Sequence, residues 1–218
     1  SREAATLEGP AHAPARRSSN RLVESYGKLP LRFEANQGQH DGQVRFVSRG
    51  QGYSLFLTPT EAVLNLRKAV EGTTDAKLPA NAAPASRARP SAILRMRLDG
   101  ANPELGMAGQ DELAGKANYF LGSGPAGWRA NVPIYASVRC AEVYPGVDLV
   151  FYGSSQQELE YDFVVAPGAD PSRICLAFEG ADKIEVDAGG GLRVFVPGGE
   201  VLFHKPIVYQ VAEGRKRD

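Results

Sequence analysis

The sequence predicts an all-β, antiparallel fold, on three observations. Short runs alternate apolar and polar residues with a period of two, the signature of strands with one buried face. Gly and Pro, 24 and 15 of 218 residues, fall between those runs, where tight connections need them. Two of the runs, VDLVFYG and ELEYDFVV, are separated only by the polar SSQQ, which is the pattern of a hairpin.

Composition sets the bounds. With 43% hydrophobic and 23% charged residues, the chain can bury one sizeable core or two small ones. Lys plus Arg equals Asp plus Glu at 25 each, so no global field favours a nucleic-acid backbone or an anionic membrane. No stretch reaches the roughly 18 uninterrupted apolar residues of a membrane-spanning helix. The chain begins at Ser1, as it would after removal of a signal peptide or in an excised fragment.

Residues 1–17 (SREAATLEGPAHAPARR) lack periodicity and are expected to form a disordered arm. Residues 18–28 offer Ser19 or Asn20 as a cap and Gly27 as a stop, for a short helix or a linker. From Leu29 the period becomes two. Val44, Phe46 and Ser48 alternate with Arg45, Val47 and Arg49, and the alternation resumes over 53–57 and 62–66. Residues 69–91 are Ala/Pro/Ser/Thr-rich and read as a long loop inside one domain, because the strands before it are too few to close a core. The alternative is two β-subdomains divided there.

AILRMRL follows, with Leu94, Met96 and Leu98 inward and Arg95 and Arg97 outward. The next apolar run waits until Tyr119, then comes a Gly/Pro loop carrying Trp128, then a strand from about 134 to 140. In the hairpin, Leu159, Tyr161, Phe163 and Val165 share one face, and Glu158, Glu160 and Asp162 the other. RICLAFEG, DKIEVDAGGGLRVFV and GGEVLFHKPIVYQ continue as a meander with turns at 187–191 and 197–199. The expectation is an antiparallel β-sandwich over 29–211, with 212–218 as a linker.

PLRFEANQGQ, VRFVSRGQGYSLFLTPTEAVL, GKANYFLG, WRANVPIYASV, VYPGVDLVFYG, LEYDFVVAPGADPS and KPIVYQ stand in order from Leu29 to Gln210. Together they resemble the N-terminal β-rich domain of unknown function of large secreted bacterial proteins, which continue into SBBP-type β-propeller repeats. The resemblance implies secretion or cell-surface display, neighbouring domains of the same chain as partners, and no cofactor. It carries no catalytic residue. Cys140 and Cys175 depart from its pattern, and a disulfide between them stays open because two strands of a sandwich can bring such residues together.

The residues also suggest chemistry. Glu158, Glu160 and Asp162 project about 7 Å apart along one strand face, and carboxylates at about 5–10 Å serve glycoside hydrolysis. Asp148 across the hairpin would let Glu160 and Asp162 hold Ca²⁺. Strict alternation with an apolar face speaks instead for a solvated outer surface. Glu34, Asn36, Gln37, Gln39, His40 and Asp41 gather amides and carboxylates suited to a sugar or a peptide backbone, or to locking turns. Trp128, beside Arg129 and Asn131 and near Asn118 and Tyr119, would stack on a sugar if exposed. The burial habit of large aromatics places it under the loop instead. No nucleophile elbow serves His40 or His204, and no Cys/His cluster suggests zinc. The function expected is a non-enzymatic interaction module; carbohydrate binding and a glycan-active hydrolase are the alternatives.

Overall fold

The computed structural model describes residues 31–50, 52–67, 91–120, 124–154, 158–212 and 215–217. The arm at 1–17, the segment at 18–28 and residues 69–90 of the expected loop lie outside them. Apart from two short 3-10 turns, every regular element among the described residues is a strand. In chain order these are β1 (Phe33–Ala35), β2 (Phe46–Gly50), β3 (Tyr53–Leu57), β4 (Glu61–Arg67), β5 (Ser91–Leu98), β6 (Met107–Phe120), β7 (Trp128–Tyr144), β8 (Val147–Gly153), β9 (Leu159–Val165), β10 (Leu176–Glu179), β11 (Lys183–Val186), β12 (Leu192–Val196), β13 (Gly199–Phe203), β14 (Gln210–Ala212) and β15 (Arg215–Arg217).

Ten strands form one antiparallel sheet, ordered β10-β5-β4-β3-β2-β1-β7-β8-β9, with β6 paired to β7 beside that path. The sheet curls, so that Leu55 and Leu57 of β3, Leu94 and Met96 of β5, and Leu149 and Phe151 of β8 bury into one core with Phe33. The three-stranded sheet β11-β12-β13 adds Val194 and Val196 to the same core, which makes the arrangement sandwich-like. Each fully buried Leu or Phe contributes roughly 1.5–3 kcal/mol. The fold class is the one the alternation predicts.

β5 shows how the pattern becomes structure. Ala92, Leu94, Met96 and Leu98 are buried while Arg95 and Arg97 face solvent. There Arg95 reaches Glu61 at 2.7 Å and Arg97 reaches Glu179 at 2.5 Å. Such exposed pairs add little stability, so the apolar face decides the register.

Three sequence expectations differ from the structure. β6 spans fourteen residues where no apolar run marks a strand, because most of its side chains are exposed and the ladder to β7 is its main attachment. RICLAFEG does not continue a meander: β10 pairs with β5, Leu176 opposite Leu98, and the meander is β11 to β13. Residues 215–217 pair with 210–212 as a hairpin instead of running on as a linker.

Candidate functional site

The β6–β7 hairpin ends over the outer face of β1 and β2. Phe120 and Trp128 are register partners there. Their rings meet edge to face at 5.4 Å between centroids. Both remain open to solvent, Phe120 at 66% and Trp128 at 45% exposure. Trp128 thus does not cap the core beneath its loop: it opens β7, and its strand neighbour covers one side of it and leaves the rest bare. Arg129 donates Nε–H to the Gln37 carbonyl at 2.8 Å and so joins the hairpin to the loop after β1.

Tyr119, next to Phe120 along β6, joins a polar cluster on β1 and β2. Arg49 Nη1 donates to Glu34 Oε1 at 2.9 Å, and the Tyr119 hydroxyl donates to Glu34 Oε2. The Arg49 guanidinium also stands 5.7 Å from the centre of the Tyr119 ring. His40 presents its ring edge-on to Tyr119 at 6.0 Å and to Phe56 at 5.7 Å, and its Nε2 is buried without a hydrogen-bond partner. Burial, and then the nearby Arg49 charge, depress the His40 pKa below its ordinary value, with Glu34 opposing. Burial and the Glu34 bond push the Tyr119 hydroxyl upward. Glu34 is therefore a carboxylate clamped by a cation and a phenol, which suits a support more than a proton donor.

The amides suggested by the sequence are mostly committed to backbone. Asn36 Nδ2 donates to the carbonyls of Asp41 and Val44 at 2.8 and 2.9 Å, and its Oδ1 accepts from Gly38 and His40 at 3.0 and 3.1 Å. Gln39 donates to the Ala35 carbonyl and accepts the Gln37 N–H. Asn118 Oδ1 accepts the Asn131 N–H at 2.9 Å, where β7 bulges and Asn131 takes φ 59. These groups shape the loop and the bulge. Of the five ligand candidates, Gln37 and Trp128 are exposed, Tyr119 belongs to the cluster, and Asn36 and Asn118 are structural.

Glu158 and Glu160 are exposed on the outer face of β9, and Asp162 is half-buried beside them. Asp148 is unavailable to a cation. It binds Arg139 through Nε and Nη2 at 3.1 and 2.5 Å and accepts the Glu142 N–H at 2.7 Å. The Glu142 bond, with Arg139 adding to it against the effect of burial, lowers its pKa. Asp162 instead lines a groove of about 460 Å³ with Leu31, Asp111, Leu113, Ser137 and Tyr152 among its walls. Sequence reasoning missed Asp111, whose φ of 54 sets it in the left-handed region. An Asp in an otherwise polar stretch gives no signal until β6 is placed. Cys140 is buried, Cys175 is exposed, and both are free, so the disulfide left open by the sequence is not formed.

Fold and surface together define an all-β domain of antiparallel strands that presents an aromatic pair at a hairpin tip. Residues 33–218 match the family described as Domain of unknown function (DUF7948), and the chain belongs to that family. No curated protein and no solved structure matches the chain.

Proposed function

We propose that this domain is a non-enzymatic interaction module of a larger secreted or cell-surface protein, and that it makes its contact through Phe120 and Trp128. The exposure of this edge-to-face pair carries the proposal. Two large aromatics left bare side by side cost solvation that a soluble surface normally avoids, and binding hot spots are enriched in such residues. Their chain neighbours Tyr119 and Arg129 are tied to Glu34 and Gln37, which orders the strand ends that carry the pair, so little entropy is lost on contact.

Carbohydrate binding is the form of contact that the exposed Trp128 favours, since an exposed indole face suits stacking on a sugar ring. The hydrolase reading has less behind it: Glu34 is clamped, and the displaced group in the acidic groove is Tyr152, whose hydroxyl is pushed upward by burial and by Asp162 and Glu160 and so keeps its proton. A glycan array probed with the wild-type chain and with Trp128→Ala tests the proposal. Retention of a glycan by the wild type and its loss in the variant supports contact at the tip. Equal retention by both removes the tip from the function, and absence of any glycan signal leaves protein contact as the form to test, by pull-down with neighbouring domains.

A further inference from the structure

Away from the aromatic tip, the groove between β6 and the outer faces of β7, β8 and β9 has a chemistry of its own. Leu31, Leu113 and Val150 supply apolar walls, Asp111 and Asp162 supply carboxylates, and none of its lining residues is basic. Asp162 accepts the Tyr209 hydroxyl at 2.9 Å. The Tyr152 hydroxyl shares the groove with that carboxylate, and burial, then Asp162 and Glu160, push its pKa upward. Phenols are neutral donors, and among the described residues no cation pairs with Asp111 or Asp162, unlike Asp148 one rung along β8, which Arg139 neutralises. Ser137 is a second, independent pointer to a ligand. The residue is only 9% exposed and lines the groove, and its hydroxyl makes no hydrogen bond among the described residues.

We propose that this groove receives an alkylammonium group, the side chain of a lysine on a partner protein. The ammonium has three N–H donors and no acceptor, and the groove offers two carboxylates and one free hydroxyl. The four-carbon stem of a lysine needs apolar walls, and Leu31, Leu113 and Val150 provide them. A guanidinium would present a wider planar fork, and a bare divalent cation would leave the apolar walls unused. The groove volume exceeds that of one side chain, so backbone flanking the lysine enters with it. This site is independent of the aromatic tip and survives its failure.

The test is an amide-resolved NMR titration of the ¹⁵N-labelled 218-residue chain with the blocked tripeptide acetyl-Gly-Lys-Gly-amide, and with its Gln counterpart as control. Saturable shifts at Ser137, Val150, Tyr152 and Asp162 with the Lys peptide, and none with the Gln peptide, are expected. Asp111→Asn and Asp162→Asn are nearly isosteric, and their spectra report whether each variant folds. Each is expected to weaken the Lys peptide about tenfold or more, as loss of a charged hydrogen bond does. Should either fail to fold, Ser137→Ala serves as the second probe, with weakened binding expected. Shifts common to both peptides, shifts retained by the Asn variants, no shifts at all, or the same shifts produced by calcium chloride while the Lys peptide is silent would each overturn the proposal.

Discussion

Asn36→Ala separates an amide that builds the loop from one that meets a ligand. The side chain makes five hydrogen bonds, all to main chain: to the carbonyls of His40, Asp41 and Val44, and from the N–H groups of Gly38 and His40. The two to Asp41 and Gly38 are solvent-exposed and contribute little, because water replaces them. The other three are partly buried, and at about 1 kcal/mol each the truncation costs about 2–3 kcal/mol. For a domain of this size that lowers Tm by about 5–10 °C. Urea unfolding followed by circular dichroism measures it as a lower midpoint at unchanged slope. Asn36→Asp keeps the accepting oxygen but replaces the donor by a second oxygen that faces three carbonyls, so it is expected to cost at least as much. A loss below about 0.5 kcal/mol, the usual scatter of surface substitutions, would refute the assignment of this amide to structure.

Other expectations rest on single groups. Cys175 reacts with an aromatic disulfide reagent in the folded chain while Cys140, buried and with its pKa pushed up to about 12, reacts only after denaturation; mass spectrometry reads one label, then two. A Cβ at Gly109 would sit 2.3 Å from the Tyr135 ring, whereas one at Gly115 would meet nothing within 4 Å. Gly109→Ala is therefore expected to cost about 1–3 kcal/mol in urea unfolding, and Gly115→Ala to leave the midpoint unchanged or raised. The His40 pKa is depressed from 6.5 in the folded state, so its contribution is complete above that value and is lost as pH falls through the window below it. Urea midpoints between about pH 7.5 and 5 should decline at no more than about 1.4 kcal/mol per pH unit from this group, and His40→Gln should flatten that decline.

The hairpin of β8 and β9, β5, and the turns of the β11–β13 meander were legible because one face of each is apolar and one polar, so period two survives in the sequence. β6 was not. A strand held mainly by its ladder carries no hydrophobic period, and Gly109, Asp111, Glu112, Gly115 and Lys116 read as loop. Pairing of β10 with β5 was hidden for a different reason: Leu176 and Phe178 have the same pattern whichever neighbour they take, and only the closure of the curled sheet selects β5. At the site, the residue types were visible but their partners were not. Trp128 stood out as a ring in a Gly-rich loop, yet its exposure depends on Phe120 lying opposite it, which requires the register of β6.

That register also explains why two separate surface features share one strand. β6 contributes Phe120 and Tyr119 at its end and Asp111 and Leu113 near its middle. The ladder slips between Glu112 and Lys116 and again between Ala117 and Tyr119. The first slip offsets the strands by two residues and the second by one, and a one-residue slip reverses which residues face outward, which an uninterrupted ladder cannot do. A strand of fourteen residues with few buried side chains gains little from the core and still loses the entropy of ordering each residue. The groove and the aromatic tip are both built where β6 departs from regular pairing, so the irregularities that hid the strand from its sequence are the ones that shape its surface. Deleting two residues within 113–115 removes the first slip and leaves Phe120 opposite Trp128, so it should leave β7, the core and the tip contacts in place while reshaping the groove at Leu113. A deletion chain that loses tip binding, or that keeps the groove's response to the Lys peptide unchanged, would show that the first slip does not shape the groove separately from the tip.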